Sequence, residues 1–223
     1  MAGAARPLAV FFDLDGTLAD TAEDLAAPIQ AMRAERGLEP MTLDALRPFA
    51  SMGARGLILK GLGVARDAPE FERLRDEFLQ RYEATMLVRT RLFDGMPQVL
   101  DALDAADIRW GVVSNKIERY VRPILAGLGL LERAVCAIGG DTTPFAKPHP
   151  EPLLHGARLA AVEARRCVYV GDDLRDIEAG HAAAMRTIAA AYGFCGGESP
   201  PGQWGADHLI DRPLELIDVL GLR

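Results

Sequence analysis

The chain has few of the residues that mark a secreted, nucleic-acid-binding or membrane protein. Its cysteines, Cys136, Cys167 and Cys195, are odd in number and widely spaced, which predicts neither a disulfide framework nor a zinc site. The net charge is −7 and no segment is dense in Lys or Arg, so nucleic acid is excluded as the expected partner. No apolar stretch is long enough to cross a bilayer, so no membrane partner is expected either.

What remains is the composition of an ordinary globular α/β protein. The 223 residues are 49% hydrophobic and 26% charged, which suits one domain or one domain with an inserted module. Residues 1–6 lack the apolar region of a signal peptide. A cytoplasmic protein with reduced thiols is therefore expected, as a monomer or a small homo-oligomer.

The most informative segment is a pair of carboxylates directly after an apolar run. Residues 8–12 predict a buried strand, and Asp13, Asp15 and Gly16 follow it. In an open parallel sheet, ligands bind in the crevice beyond the carboxyl ends of the strands. Two acids on one turn can divide the work, because one can attack or bind a metal while the other moves protons.

Strands alternate with helices over most of the chain, which predicts an α/β fold with a Rossmann-like, mostly parallel sheet and helices on both faces. Beyond the first strand, strands are predicted near residues 109–113, 134–138, 167–170, 187–192 and 207–210. Helices are predicted near residues 69–87, 96–103, 118–128, 151–159, 174–183 and 214–220.

Residues 19–90 interrupt this alternation, and we call them the cap segment. They carry helical patterns and no strand is predicted from residue 20 to 90. The segment is expected to be an inserted all-helical cap that lies over Asp13 and Asp15 as a lid. The catalytic core is then formed by residues 1–18 and 91–223.

Polar clusters follow the predicted strands, and parallel strands bring such clusters to one sheet edge. They are Asp13 and Asp15, Ser114 and Asn115, Lys147, and Asp172 and Asp173. Carboxylates suit Mg²⁺, whereas Ser114, Asn115 and Lys147 suit a phosphate. A carboxylate that approaches a phosphate meets a repulsion of roughly 4 kcal/mol per charge pair at ~4 Å. A metal ion together with Lys147 would offset it, so the set is consistent with phosphoryl transfer through an aspartyl-phosphate.

These clusters resemble the four motifs of the haloacid dehalogenase superfamily, in its phosphatase branch with a small helical cap. The resemblance spans the whole chain and is carried by residues 13–17, Ser114, Lys147 and residues 171–176. It implies that Asp13 is the nucleophile. It also implies that Asp15 first protonates the leaving alcohol and then activates the hydrolytic water.

The same resemblance implies the ligands of the metal and of the phosphoryl group. Asp13, Asp172 and Asp15, the last through its backbone carbonyl, are expected to hold Mg²⁺, and Ser114 and Lys147 to bind the phosphoryl group. Supporting residues are expected to position these groups: Thr17, Asp173 and Asp176.

Two groups of phosphatases within the superfamily are similar to this chain. Residues 138–154 resemble phosphoglycolate phosphatases, whereas segments of the cap and residues 171–180 resemble N-acetylmuramic acid 6-phosphate phosphatases. The cap favours the second, and substrate contacts are expected from Ser51, Gly53 and Arg55, whose guanidinium suits a carboxylate. A broad-specificity sugar phosphatase, a phosphomutase and a non-catalytic phosphate-binding protein are the alternatives. In each, the partner is a small phosphorylated metabolite.

Overall fold

In the computed structural model, which describes residues 6–197 and 199–222, a six-stranded parallel sheet carries helices on both faces. The strands are β1 Ala9–Phe12, β2 Ala19–Asp20, β3 Arg91–Leu92, β4 Arg109–Val113, β5 Ala137–Ile138, β6 Cys167–Gly171, β7 Arg186–Ala190 and β8 His208–Ile210. The sheet has the order β5-β4-β1-β6-β7-β8, while β2 and β3 form a separate ribbon. The predicted fold class is confirmed.

The helices alternate with the strands of the large sheet, except in the cap segment. They are α1 Ala22–Ala34, α2 Leu43–Ala50, α3 Gly53–Leu62, α4 Phe71–Thr85, α5 Met96–Ala105, α6 Glu118–Gly127, α7 Glu151–Leu159, α8 Leu174–Ala182 and α9 Glu215–Val219. None of the described helices is long and apolar enough to cross a membrane.

Strand β1 lies at the centre of the sheet and is buried on both faces. Val10 and Phe12 pack in a cluster that includes α5, α6 and buried residues of the cap segment. Ala9 and Phe11 point the other way and pack with Leu153 of α7. This alternation along a fully apolar strand is what a parallel sheet covered on both faces requires, and it places the end of β1 in the middle of the sheet edge.

Two predictions about strands need correction. The strand expected over residues 134–138 is only Ala137–Ile138, because this edge element pairs with β4 alone, through Val112 and Val113. The expectation of no strand from residue 20 onward is wrong at its first residue, since Asp20 pairs with Arg91 in the antiparallel ribbon. Strands of two residues are too short to show an alternating pattern.

The cap segment is joined to the rest of the chain by two strands that lie side by side. Next to this ribbon, the buried Asp24 of α1 accepts hydrogen bonds from the backbone of Arg89 (3.0 Å) and Thr90 (2.8 Å). The Thr90 hydroxyl donates to the same carboxylate at 2.7 Å. The ribbon thus coincides with both predicted cap boundaries, although the division into core and cap remains a prediction.

Candidate active site

Three neighbouring strands deliver the predicted motifs to one edge of the sheet. Asp13 follows β1, Ser114 follows β4 and Asp172 follows β6. Because β1 lies between β4 and β6 and all three are parallel, these residues emerge side by side. Lys147 reaches the same place from the loop between β5 and α7. The predicted convergence is therefore present in the structure, whereas the chemical role of each residue remains a prediction.

Lys147 is a buried cation held between two carboxylates. Its Nζ atom lies 3.1 Å from Oδ1 of Asp13 and 2.6 Å from Oδ1 of Asp176. It also donates to the carbonyl of Val113 (3.2 Å) and to the hydroxyl of Tyr169 (2.8 Å). Burial alone would lower the pKa of Lys147, but the two carboxylates raise it above the ordinary value. Lys147 is thus a fixed positive charge beside Asp13.

Asp172 is fixed by donors from two loops. Oδ1 accepts from the hydroxyl of Thr17 at 2.8 Å, and Oδ2 accepts from the backbone of Phe194 at 2.8 Å. Gly16, with φ +86°, passes so close that a Cβ atom there would lie 2.2 Å from Oδ2 of Asp172. Burial, reinforced by the negative charges of Asp13 and Asp176, raises the pKa of Asp172 well above 3.8.

Asp15 faces a second lysine, Lys116, to which the sequence interpretation did not assign a role and whose side chain is 7% exposed. Lys116 Nζ lies 3.0 Å from both carboxylate oxygens of Asp15, and the Thr21 hydroxyl donates to Oδ1 at 2.6 Å. The Lys116 ammonium also lies 4.6 Å from the ring centroid of Tyr82 in α4. The only signal for Lys116 in the sequence was its place directly after Ser114 and Asn115, at a strand end.

The residues after β4 divide between two tasks. The buried Ser114 hydroxyl accepts from the backbone of Lys116 at 3.3 Å and keeps its own proton to donate. The Asn115 amide accepts from the Lys147 backbone N–H and donates to its carbonyl, both at 2.9 Å. Asn115 therefore holds the loop that carries Lys147, and its predicted contact with phosphate stays a prediction.

The start of α8 connects the site to the cap segment. Asp173 and Asp176 form a capping box at the start of α8. The Asp173 side chain caps the helix, and the Asp176 carboxylate accepts from the Asp173 backbone N–H at 3.1 Å. Arg175 donates to both carboxylate oxygens of Asp173, each at 2.8 Å. Its Nη2 atom also donates to the carbonyl of Ser51 at 2.9 Å. Ser51 therefore makes a polar contact between the cap segment and the start of α8.

A cavity of about 690 Å³ lies between the sheet edge and the cap segment. The motif residues line one side. The predicted cap residues Ser51, Gly53 and Arg55 line the other. The structure adds two arginines that the sequence interpretation missed, Arg66 and Arg75. They lie in a loop and on α4, far along the chain from any motif, so no local pattern marks them.

Three carboxylates in the described part of the chain lie close enough together to bind one cation. Asp13, Asp172 and Asp176 each offer an oxygen, and these atoms lie within 4.8 Å of one another. The group is buried or half-buried and contains neither His nor Cys. Such an all-oxygen donor set suits a hard divalent cation. The side chain of Asp15 is directed to Lys116, which is compatible with the prediction that only its backbone carbonyl binds the metal. The ligand set itself remains a prediction.

Comparison with known proteins agrees with this arrangement. A family model described as haloacid dehalogenase-like hydrolase matches residues 10–190. The N-acetylmuramic acid 6-phosphate phosphatase of Pseudomonas aeruginosa is 45% identical over 215 residues, covering 96% of this chain and 95% of that protein. The phosphoglycolate phosphatase of Xanthomonas campestris pv. campestris is 46% identical over 210 residues, covering 94% and 95%.

Among solved structures, a predicted phosphoglycolate phosphatase from Haemophilus somnus superimposes with a TM-score of 0.84 at 25% identity, covering 97% of this chain and 99% of that one. The matches extend over both the sheet and the cap segment. They confirm the resemblance that the motifs predicted and show the class of enzyme, a phosphoric monoester hydrolase. The chain belongs to the haloacid dehalogenase-like hydrolase family.

Proposed function

We propose that this protein is a Mg²⁺-dependent phosphatase that transfers the phosphoryl group of a small metabolite to Asp13 and then to water. The observation that carries the proposal is the position of Asp13. Its carboxylate lies at the end of the central strand, 3.1 Å from the Lys147 ammonium, and faces the cavity. A nucleophile beside a fixed cation meets less repulsion from an incoming phosphate.

The donor set fits a divalent cation. Burial raises the pKa of Asp172, and the negative charges of Asp13 and Asp176 in the same cluster raise it further, so a bound cation would relieve this repulsion. Asp176 already accepts from Lys147 and from the Asp173 backbone. The metal ligands we propose are therefore Asp13, Asp172 and the backbone carbonyl of Asp15. When bound, the ion would offset the negative charge of the phosphoryl group.

The residues of the chain then perform two displacements. A carboxylate oxygen of Asp13 bonds to phosphorus while the bond from phosphorus to the ester oxygen breaks, and protonated Asp15 gives its proton to the departing alkoxide. Asp15 next takes a proton from water, whose oxygen bonds to phosphorus as the bond to Asp13 breaks. Ser114 and Lys147 hold the phosphoryl oxygens throughout, and Lys116 keeps the Asp15 carboxylate in place.

For the substrate we propose N-acetylmuramic acid 6-phosphate. The identities to the two kinds of phosphatase, 45% and 46%, do not separate them. The cavity favours the larger molecule, since about 690 Å³ with an apolar wall suits an acylated sugar acid better than a two-carbon acid. Phosphoglycolate is the second candidate, because a relative with that name is as similar as the first. A cytoplasmic location follows from this proposal.

The test is phosphate release in the presence of Mg²⁺. We would compare kcat/KM for N-acetylmuramic acid 6-phosphate, 2-phosphoglycolate and glucose 6-phosphate. The proposal expects a large preference for the muramic compound, with inorganic phosphate as the product. A preference for 2-phosphoglycolate would establish the second candidate, and equal rates would indicate broad specificity. An isomeric sugar phosphate in place of inorganic phosphate would identify a phosphomutase and contradict the proposal.

A further inference from the structure

The wall that the cap segment contributes to the cavity combines apolar side chains with arginines. Phe71, Phe78 and Leu79 of α4 form apolar surface there, together with Leu25 of α1. Three arginines from separate places in the cap segment join the same wall: Arg55 near the start of α3, Arg66 in the following loop and Arg75 on α4. Cationic groups next to apolar surface indicate a ligand with both an anionic group and an apolar body.

Two of these arginines have side chains that are free to bind an anion, and the third is paired only with acids of its own helix. Within residues 6–197 and 199–222, the side chains of Arg55 and Arg66 make no hydrogen bond and no ion pair. Arg75 pairs with two acids of the same helix. Oε2 of Glu72, which also lines the cavity, lies 3.2 Å from Nη1, and Oδ1 of Asp76 lies 4.0 Å from it. Lys147 already serves the transferred phosphoryl group. The guanidinium groups of the cap wall are therefore left for a second anion.

We propose that Arg66 and Arg75, with Arg55, form a second anion-binding subsite that recognises a carboxylate on the body of the substrate. A guanidinium binds a carboxylate through two parallel hydrogen bonds, so this subsite would orient the substrate as well as hold it. In the free enzyme Arg75 forms an ion pair with Glu72, and the carboxylate of the substrate replaces Glu72 as its partner. The substrate class is a phosphate monoester with a carboxylate beyond an apolar body. This inference rests on the proposed phosphatase function.

The experiment uses a pair of substrates that differ by the lactyl group, which carries the carboxylate. N-Acetylglucosamine 6-phosphate is N-acetylmuramic acid 6-phosphate without its lactyl group. We expect Arg66→Ala and Arg75→Ala each to lower kcat/KM for the muramic compound by about tenfold. For the glucosamine compound, kcat/KM should stay within about twofold of the wild-type value. Arg73→Ala is the matched control, since Arg73 lies on the same helix outside the cavity and pairs with Glu77 at 3.7 Å. Arg73→Ala should leave kcat/KM unchanged for both substrates.

A variant with the opposite expected sign sharpens the test. Glu72→Gln removes the nearer of the two acids that pair with Arg75, so KM for the muramic compound should fall by about twofold to fivefold, while KM for the glucosamine compound stays constant. The subsite is refuted if the arginine variants lower kcat/KM equally for both substrates. It is also refuted if their kcat/KM for the muramic compound equals that of Arg73→Ala.

Failure of the proposed substrate would give a different result. If the wild-type enzyme prefers 2-phosphoglycolate, the same variants are compared on 2-phosphoglycolate and ethyl phosphate, which lacks the carboxylate. A selective loss on the acid would then support the subsite with another substrate. An equal loss on both, or no loss, would refute the subsite while the phosphatase activity stands.

Discussion

The two walls of the cavity differ in how their charges are held. On the sheet edge, the ionisable side chains of Lys147, Asp172 and Asp176 are buried and each has several partners in the protein. On the cap wall, Arg55 and Arg66 are exposed and have no partner among the described residues. Groups that are fixed before the substrate arrives are suited to the chemical step, because they need no reorganisation. Groups without partners are suited to recognising one substrate among many.

Under the proposed function, the two walls meet different parts of the substrate. The sheet-edge wall needs only the phosphate, which all substrates of the class have in common. The cap wall meets the part that varies. Variants in the first wall should therefore affect every substrate, and variants in the second should affect only those with a carboxylate.

The largest effect is expected from Asp13→Asn, which removes the nucleophile. Phosphate release should fall by about a thousandfold or more, both for substrates that carry a carboxylate and for those that do not. The fold should persist, because the variant has the same shape and relieves repulsion within the carboxylate cluster. Phosphate release and thermal unfolding measure the two effects. Activity near the wild-type level on any substrate would contradict the role of Asp13.

Lys147→Met should also abolish activity on every substrate, and it tests how the wall is held together. The change leaves the carboxylates of Asp13 and Asp176 without their cation and should lower the free energy of unfolding by about 3–5 kcal/mol. Adding Asp176→Asn should restore part of this stability and none of the activity. Denaturant unfolding of the single and double variants checks it, and a double variant less stable than Lys147→Met would refute the pairing.

Gly16→Ala should disable the sheet-edge wall through sterics alone. A Cβ atom at this position, with φ +86°, would lie 2.2 Å from Oδ2 of Asp172, so the carboxylate must move. We expect a loss of Mg²⁺ affinity and of about a hundredfold in kcat. Gly129→Ala is the control, since its φ is +71° but no atom lies within 4 Å of the added Cβ. It should cost about 1 kcal/mol of stability and leave kcat unchanged. Equal losses of kcat in both variants would show that backbone strain, and not Asp172, is responsible.

The smallest effect concerns stability and pH. Burial, then the charges of Asp13 and Asp176, raise the pKa of Asp172 in the folded protein. The folded state therefore holds a proton that the unfolded chain releases near its ordinary pKa of about 4. The stabilisation is complete below that pKa and is lost as the pH rises through the folded pKa.

Without metal, the wild type should thus lose stability as the pH rises from about 5 to about 8, and Asp172→Asn should not. The Tm of the variant relative to that of the wild type should therefore be higher at about pH 8 than at about pH 5. Mg²⁺ should raise the Tm of the wild type at about pH 8 and do little for the variant, because bound ligand stabilises only the folded state that holds it. Tm measured with and without Mg²⁺ at both pH values checks this. A Mg²⁺ response that is equal in the two proteins would remove Asp172 from the metal site.

The sheet-edge wall could be predicted from the sequence, and the cap wall only in part. Asp13, Ser114 and Asp172 can be predicted because each directly follows a strand, and a parallel sheet brings the carboxyl ends of its strands to one edge. The partners of Asn115 and Lys116 depend on how two loops meet, which no local pattern records. Arg66 and Arg75 resemble ordinary exposed arginines in the sequence. Their common cavity exists only once α3 and α4 have packed.

The separation of chemistry from substrate choice can be measured most directly by rapid acid quench. The phosphoenzyme would be followed in the wild type and in the Arg66→Ala/Arg75→Ala double variant, with N-acetylmuramic acid 6-phosphate and with N-acetylglucosamine 6-phosphate. Our account predicts one rate of phosphoenzyme hydrolysis in all four cases and a slower formation only for the double variant with the acidic substrate. A rate of hydrolysis that changes with the cap arginines, or no phosphoenzyme at all, would contradict it.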